Sequence, residues 1–130
     1  MFDDMMLFIK DMLLTKTNGD FTVEERNLLN VAFKNFINPE RKSIKLVGDL
    51  SDNYKLAKFK DNMKAYVKRL EGQLIEKCTM IIELIEEQCL PVTANSESKI
   101  FFLKMIGDFY RYQAEHIHVT PFAHLENRTF

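Results

Sequence analysis

An apolar stripe through the middle of the chain constrains its fold more than any other feature. Phe59, Met63, Tyr66, Leu70, Leu74, Cys78, Ile81, Ile85 and Cys89 recur at intervals of three or four residues. That spacing returns each side chain to one face of an α-helix and is incompatible with the two-residue alternation of a strand. It predicts a core-facing helix of about thirty residues, closed at Pro91, whose ring and missing N–H stop it. Gly72 lies inside this block and costs it about 1 kcal/mol relative to Ala.

Three further blocks carry helical spacing. The first runs from about Phe2 to Leu14, with Met5, Met6, Ile9 and Leu13 apolar and Asp3, Asp4, Lys10 and Asp11 left to solvent. A loop follows, with Asn18-Gly19 as its turn signal. The second block opens on a capping box formed by Thr22 and Glu25. Its apolar face is Leu28, Leu29, Ala32, Phe33, Phe36 and Ile37. Pro39 is predicted to kink or split it between Ile37 and Arg41, after which Ile44, Val47 and Leu50 resume the pattern. The fourth block starts near Asn95 or Ser96, either able to cap, and runs to about Glu115. Its apolar residues are Ile100, Phe101, Leu103, Phe109, Tyr110 and Ala114. Only 4 Gly and 3 Pro occur in 130 residues, too few turn formers for an all-β fold. The expected class is all-α, an antiparallel helical array. It comprises a helical domain over residues 1–115 and an irregular tail over 116–130.

Charge and cysteine usage narrow the function classes. The 18 basic and 19 acidic residues leave a net charge of −1, so no global field draws in nucleic acid or an anionic membrane. No apolar run is long enough to cross a bilayer. Asp3 and Asp4 stand where a secretory signal would be basic. Cys78 and Cys89 are eleven residues apart, about 16 Å along a helix and too far for a disulfide. They read as buried thiols in a reducing compartment, which predicts a cytoplasmic location. His116, His118 and His124 lack a fourth ligand at a zinc spacing. Neither a nucleophile elbow nor a Gly-rich phosphate loop occurs. The expectation is therefore no enzyme activity, no cofactor and no metal.

Two pairs of cations share one spacing. Lys34 and Arg41 are seven residues apart, as are Lys104 and Arg111, with Tyr112 next in sequence. Seven residues turn a helix about 700°, so each pair lies on one face. Should the faces meet across a groove, guanidinium forks and a phenol hydroxyl would suit a phosphoryl group. The same spacing equally describes a solvated face on which Asp108 pairs with Lys104.

Longer motifs decide between these. The stretch Val23-Glu24-Glu25-Arg26-Asn27-Leu28-Leu29-Asn30-Val31-Ala32-Phe33-Lys34-Asn35 resembles the most characteristic segment of the 14-3-3 proteins. Ser96-Glu97-Ser98-Lys99-Ile100-Phe101-Phe102-Leu103-Lys104-Met105, with Gly107-Asp108-Phe109-Tyr110-Arg111-Tyr112, resembles a second. Phe2-Asp3-Asp4-Met5 and the span from Cys78 to Pro91 fit in register. The resemblance implies an all-helical, dimeric, cytosolic adaptor that binds phosphoserine or phosphothreonine peptides without catalysis. It places the phosphate on Lys34, Arg41, Arg111 and Tyr112, and the peptide backbone on Lys104. It places Asp4, Arg69 and Tyr66 at a dimer interface, with partners that are phosphorylated proteins and chains of the same kind. A structural fragment that pairs with full-length relatives and binds phosphopeptide weakly or not at all is the alternative. The chain departs from the family pattern at Gln73, where an interface Glu is usual, at Ile44, where a Trp is usual, and at Asn38-Pro39-Glu40. It resembles the N-terminal part of the family, without the first helix and with nothing matching after Glu115.

Overall fold

The structure is a computed structural model describing residues 4–16 and 20–117. Four α-helices make up the array: α1 (Asp4–Thr15), α2 (Val23–Ser51), α3 (Lys60–Leu84) and α4 (Ser96–Ala114). A 3₁₀ segment (Tyr54–Phe59) leads into α3. A π turn (Ile85–Cys89) and a 3₁₀ turn (Leu90–Val92) widen and then close its end around Pro91. No strand occurs among the described residues, and the all-α expectation holds.

Local chemistry sets the helix starts. Thr22 Oγ1 accepts from the Glu25 N–H at 3.1 Å, and Glu25 Oε1 accepts from the Thr22 N–H at 2.8 Å, completing the capping box. Asn95 caps α4 by accepting from the Glu97 N–H at 2.7 Å. Such caps are worth about 1 kcal/mol each. Asp20 joins the two starts, accepting from the N–H groups of Phe21 and Asn95, each at 2.8 Å.

α3 lies between α2 and α4 and runs antiparallel to both. Lys77 meets Glu40 of α2, while nearer the start of α3 Met63 and Val67 face Val47 and Ser51. On the other side, Gln113 Nε2 near the end of α4 donates to the Ile75 carbonyl at 3.0 Å and to Thr79 Oγ1 at 2.7 Å. α2 and α4 therefore run in the same direction. Arg26 pairs with Glu97, Phe33 stacks edge-on to Phe109 at 6.4 Å, and Arg41 lies over Tyr112. The core between them holds Phe33, Phe102, Phe109, Leu74, Cys78 and Ile81, all fully enclosed. Truncating one of these phenylalanines to Ala costs roughly 3–5 kcal/mol.

Three sequence readings are revised. Of the kink or split expected at Pro39, the split does not occur: α2 is one helix of 29 residues with Pro39 inside it. Proline denies the Asn35 carbonyl its helical donor and strains the turn around it. The Lys77 ammonium reinforces that turn, donating to the Phe36 carbonyl and to Glu40 Oε1, each at 2.9 Å. Tertiary contact with α3 thus overrides the local break. Secondly, the stripe on the third block turns inward only from Leu70 onward. Phe59 and Tyr66 are 43% and 40% exposed. Thirdly, the buried line of α4 is Ser98, Phe102, Met105, Phe109 and Tyr112, whereas Ile100, Leu103 and Tyr110 face outward.

The two cysteines are buried and free, as expected. Burial pushes the Cys78 thiol up to about 11, with the Arg41 guanidinium opposing the rise, and the Cys89 thiol up to about 12.

Candidate functional site

The continuity of α2 through Pro39 gives the site its geometry. Lys34, Asn38 and Arg41 follow one another at four and three residues and share a face of α2. Arg41 reaches across to α4, where its guanidinium carbon sits 4.4 Å from the centre of the Tyr112 ring. Arg111 approaches the same ring at 5.5 Å. Two guanidinium groups on different helices are therefore gathered around one aromatic side chain. Tyr112 is itself buried, edge-on to Phe109 at 5.4 Å. A buried, packed ring offers a firm support for cations that exposed side chains would otherwise hold loosely.

Asp108 organises the α4 side. Its Oδ2 is 3.4 Å from Lys104 Nζ and its Oδ1 is 3.3 Å from an Arg111 guanidinium nitrogen. One half-buried carboxylate thus holds two of the three cations of α4. The sequence suggested the pairing with Lys104; the pairing with Arg111, three residues on, carried an equally available signal. Lys34 and Arg41 form no ion pair with any carboxylate among the described residues. With Asp108 included, Lys34, Arg41, Lys104 and Arg111 carry a formal surplus of three positive charges; Arg41 and Arg111 meet at the Tyr112 ring and Lys104 joins Arg111 at Asp108, whereas Lys34 shares a face of α2 with Arg41 and makes no ion pair among the described residues.

The structure adds residues that the spacing did not single out. Arg26 is buried, with its guanidinium 5.2 Å from the Phe101 ring centre and 3.3 Å from Glu97. It ties the start of α2 to the start of α4. Beyond Arg41, a recess of about 420 Å³ is lined by Asn38, Arg41, Lys42, Ile44, Lys45 and His116. His116 was placed in an irregular tail by its sequence. Its Nδ1 lies 3.1 Å from Glu71 Oε2 on α3. His118 and His124 lie outside the described residues, and no cluster of three metal-ligating side chains occurs among those described.

The residues assigned to a dimer interface lie on a different surface. Asp4 begins α1 and is exposed. Arg69 lies over the Tyr66 ring at 5.3 Å on the outer face of α3. No helix among the described residues is long and apolar enough to cross a membrane.

Fold and site together define an all-helical scaffold that displays paired cations from two parallel helices around a buried tyrosine. The 14-3-3 protein family matches residues 1–124. The chain is 38% identical over 118 residues to 14-3-3 protein 10 of Solanum lycopersicum and 37% identical over 115 residues to 14-3-3 protein zeta of Bombyx mori. It is also 38% identical over 118 residues to 14-3-3 protein 3 of Entamoeba histolytica. Each match covers 88% of this chain and 46–48% of the relative. The chain belongs to the 14-3-3 family, and it spans about half the length of the curated relatives it matches.

Proposed function

We propose that this chain is a phosphopeptide-binding module whose anion site is Lys34, Arg41, Arg111 and Tyr112, with Lys104 beside it for the peptide backbone. The convergence of Arg41 and Arg111 on the Tyr112 ring carries the reading. A phosphate of charge about −1.5 to −2 at neutral pH accepts charge-assisted, fork-to-oxygen hydrogen bonds from guanidinium groups. Arg41 and Arg111 supply these forks, Lys34 a further cation, and Tyr112 a hydroxyl donor. An unphosphorylated serine offers neither the charge nor the oxygens, so the site discriminates a modified partner from its unmodified twin. Nothing in this role calls for catalysis, a cofactor or a metal.

Dimerisation through Asp4, Tyr66 and Arg69 belongs to the same proposal. Leu7 and Phe8 on α1 are 50% and 58% exposed, and the 3₁₀ segment and α3 present Phe59 and Tyr66. Apolar faces on this scale suit a partner chain. The acidic Asp4 and Asp11 on one face complement Lys64, Lys68 and Arg69 on the other. The thiols, buried and free, agree with a cytoplasmic location.

The test is a fluorescence-polarisation titration with a phosphoserine peptide and its unphosphorylated counterpart. Binding is expected only for the phosphopeptide, and Arg41→Ala or Arg111→Ala is expected to abolish it while leaving the helical circular dichroism signal intact. Equal binding of the two peptides by the parent chain would refute the proposal. A clean dimer with no affinity for either peptide would favour a purely structural partner of related chains.

A further inference from the structure

The segment that precedes Leu70 differs in charge from the rest of the chain. Residues 54–69 hold 6 of the 18 basic residues and 1 of the 19 acidic ones. They form a strongly positive segment in a chain of net charge −1. The remainder is correspondingly acidic, so the local field of this end survives the overall balance and orients the chain towards a negative surface.

The loop end of this segment is a formed element. Asn53 Oδ1 accepts from the Lys55 N–H at 2.9 Å and starts the 3₁₀ segment Tyr54–Phe59. Three residues per turn bring every third side chain onto one line. Lys55 and Lys58 therefore share one face, and Tyr54 and Ala57 a second, which Lys60 continues. Leu56 is half-buried and seats the segment, while the other two faces are exposed. Tyr54, at 82%, is the most exposed large apolar side chain among the described residues. Lys58 Nζ lies 5.1 Å from the Phe59 ring centre. None of Lys55, Lys58 and Lys60 forms an ion pair among the described residues. Lys16, Lys77 and Lys104, by contrast, each have a carboxylate within 3.4 Å.

We propose that this end of the helical array docks on an anionic bilayer, with Lys55, Lys58 and Lys60 over the headgroups and Tyr54 at the headgroup level. Side-chain chemistry selects the occupant. Lysine is a compact, strongly hydrated charge suited to diffuse attraction, whereas nucleic-acid recognition favours the arginine fork, and none of the three cations is arginine. A tyrosine ring, apolar with a polar tip, suits the membrane–water interface. The anionic leaflet is the cytoplasmic one, in keeping with two free, buried thiols. The surface is separate from the proposed dimer contacts: Lys60 precedes Tyr66 by six residues, about 9 Å along α3. It is also independent of the phosphopeptide reading.

The experiment measures sedimentation of the full chain with phosphatidylcholine vesicles, with and without about one third phosphatidylserine. Binding is expected only to the anionic vesicles, and should weaken as salt is added. A lysine near such a surface contributes about fivefold. Lys55→Gln/Lys58→Gln/Lys60→Gln should therefore lose on the order of 100-fold in vesicle affinity and keep phosphopeptide affinity and helical circular dichroism unchanged. The chain has no Trp, so Tyr54→Trp supplies a single fluorescent reporter, whose emission is expected to shift to the blue on anionic vesicles. Equal binding to both vesicles, binding that survives the triple variant, or an unshifted emission from the bound chain overturns the proposal. Loss of vesicle binding in Arg111→Ala, with the triple variant unaffected, would place the lipid phosphate in the anion site and overturn it equally. Binding of a single-stranded oligonucleotide, with none to vesicles, overturns the choice of occupant.

Discussion

Lys77 should be the most consequential surface-edge residue for keeping α2 whole. Its ammonium contacts Glu40 Oε1 and the Phe36 carbonyl, each at 2.9 Å, and lies 4.4 Å from the Phe36 ring centre. The side chains of Lys77 and Glu40 are only 16% and 10% exposed. Removing one partner of a buried pair strands the other, at a cost of about 3–5 kcal/mol when burial is complete. Partial access of Lys77 to water reduces this, so Lys77→Met is expected to cost about 2–4 kcal/mol. That is a large share of the 5–15 kcal/mol typical of a domain.

The same geometry makes the cost depend on Pro39. Restoring an N–H with Pro39→Ala returns a donor to the Asn35 carbonyl and relaxes the adjoining turn, so Phe36 leans less on Lys77. Lys77→Met should then cost about 1 kcal/mol less in the Pro39→Ala background, the scale of one net hydrogen bond. Urea unfolding followed by circular dichroism at 222 nm reads all four corners of this cycle, since the chain has no Trp. A Lys77→Met variant within about 0.5 kcal/mol of the parent would show that the bridge contributes little. An additive cycle would show that Lys77 supports Glu40 alone and that Pro39 is tolerated for another reason.

Two further outcomes are expected. Desolvation works against ionisation of Asp20, but hydrogen bonds from Asn95, Phe21, Ser98 and Ala94 outweigh it and hold its carboxyl below the ordinary 3.8. The Thr22 N–H, assisted by Lys16, holds Glu25 below the ordinary 4.5. Carboxyl values lowered by folding contribute stability that is complete above the ordinary values and lost as pH falls through the lowered ones. Asp20→Asn should therefore destabilise the chain at pH 7 by an amount that shrinks as pH falls below the ordinary 3.8; a pH-independent difference in urea midpoint would contradict this. With their titration raised from 9.0 to about 11 and 12, Cys78 and Cys89 should react with a thiol reagent at pH 8 on the order of 100-fold or more slower than after unfolding. Rapid labelling of the native chain would mean that the α2–α3–α4 core opens readily.

What could be read from the sequence, and what could not, divides along physical lines. Thr22, Glu25 and Asn95 act through bonds to residues two or three positions away, so their capping was readable without a fold. The inward turn of α3 from Leu70 was not, because whether an apolar stripe is covered depends on how far neighbouring helices extend. Phe59 and Tyr66 have the same spacing as Leu74 and Ile81 but are not enclosed by any helix among the described residues. Pro39 is the opposite case: its missing N–H weakens the turn locally, but a lysine thirty-eight residues away in sequence reinforces that turn and the helix runs on.

The register of α4 decides how the site works. From Ile100 to Ile106 every residue but Lys104 is apolar, so more than one face of this helix could have been the buried one. An inward face through Ile100, Leu103 and Tyr110 would have turned Tyr112 to solvent. The observed register buries Ser98, Phe102, Met105, Phe109 and Tyr112, and Tyr112 becomes the last inward residue before the helix ends. Its ring packs on Phe109 from one side and carries Arg41 on another. Arg111, next to it in sequence, is thrown outward by the 100° step between neighbours and reaches Asp108. One apolar face thus fixes the tyrosine and aims the arginine. A substitution that shifts this face, such as Met105→Lys, should degrade anion binding together with stability, whereas Arg111→Ala should degrade binding alone.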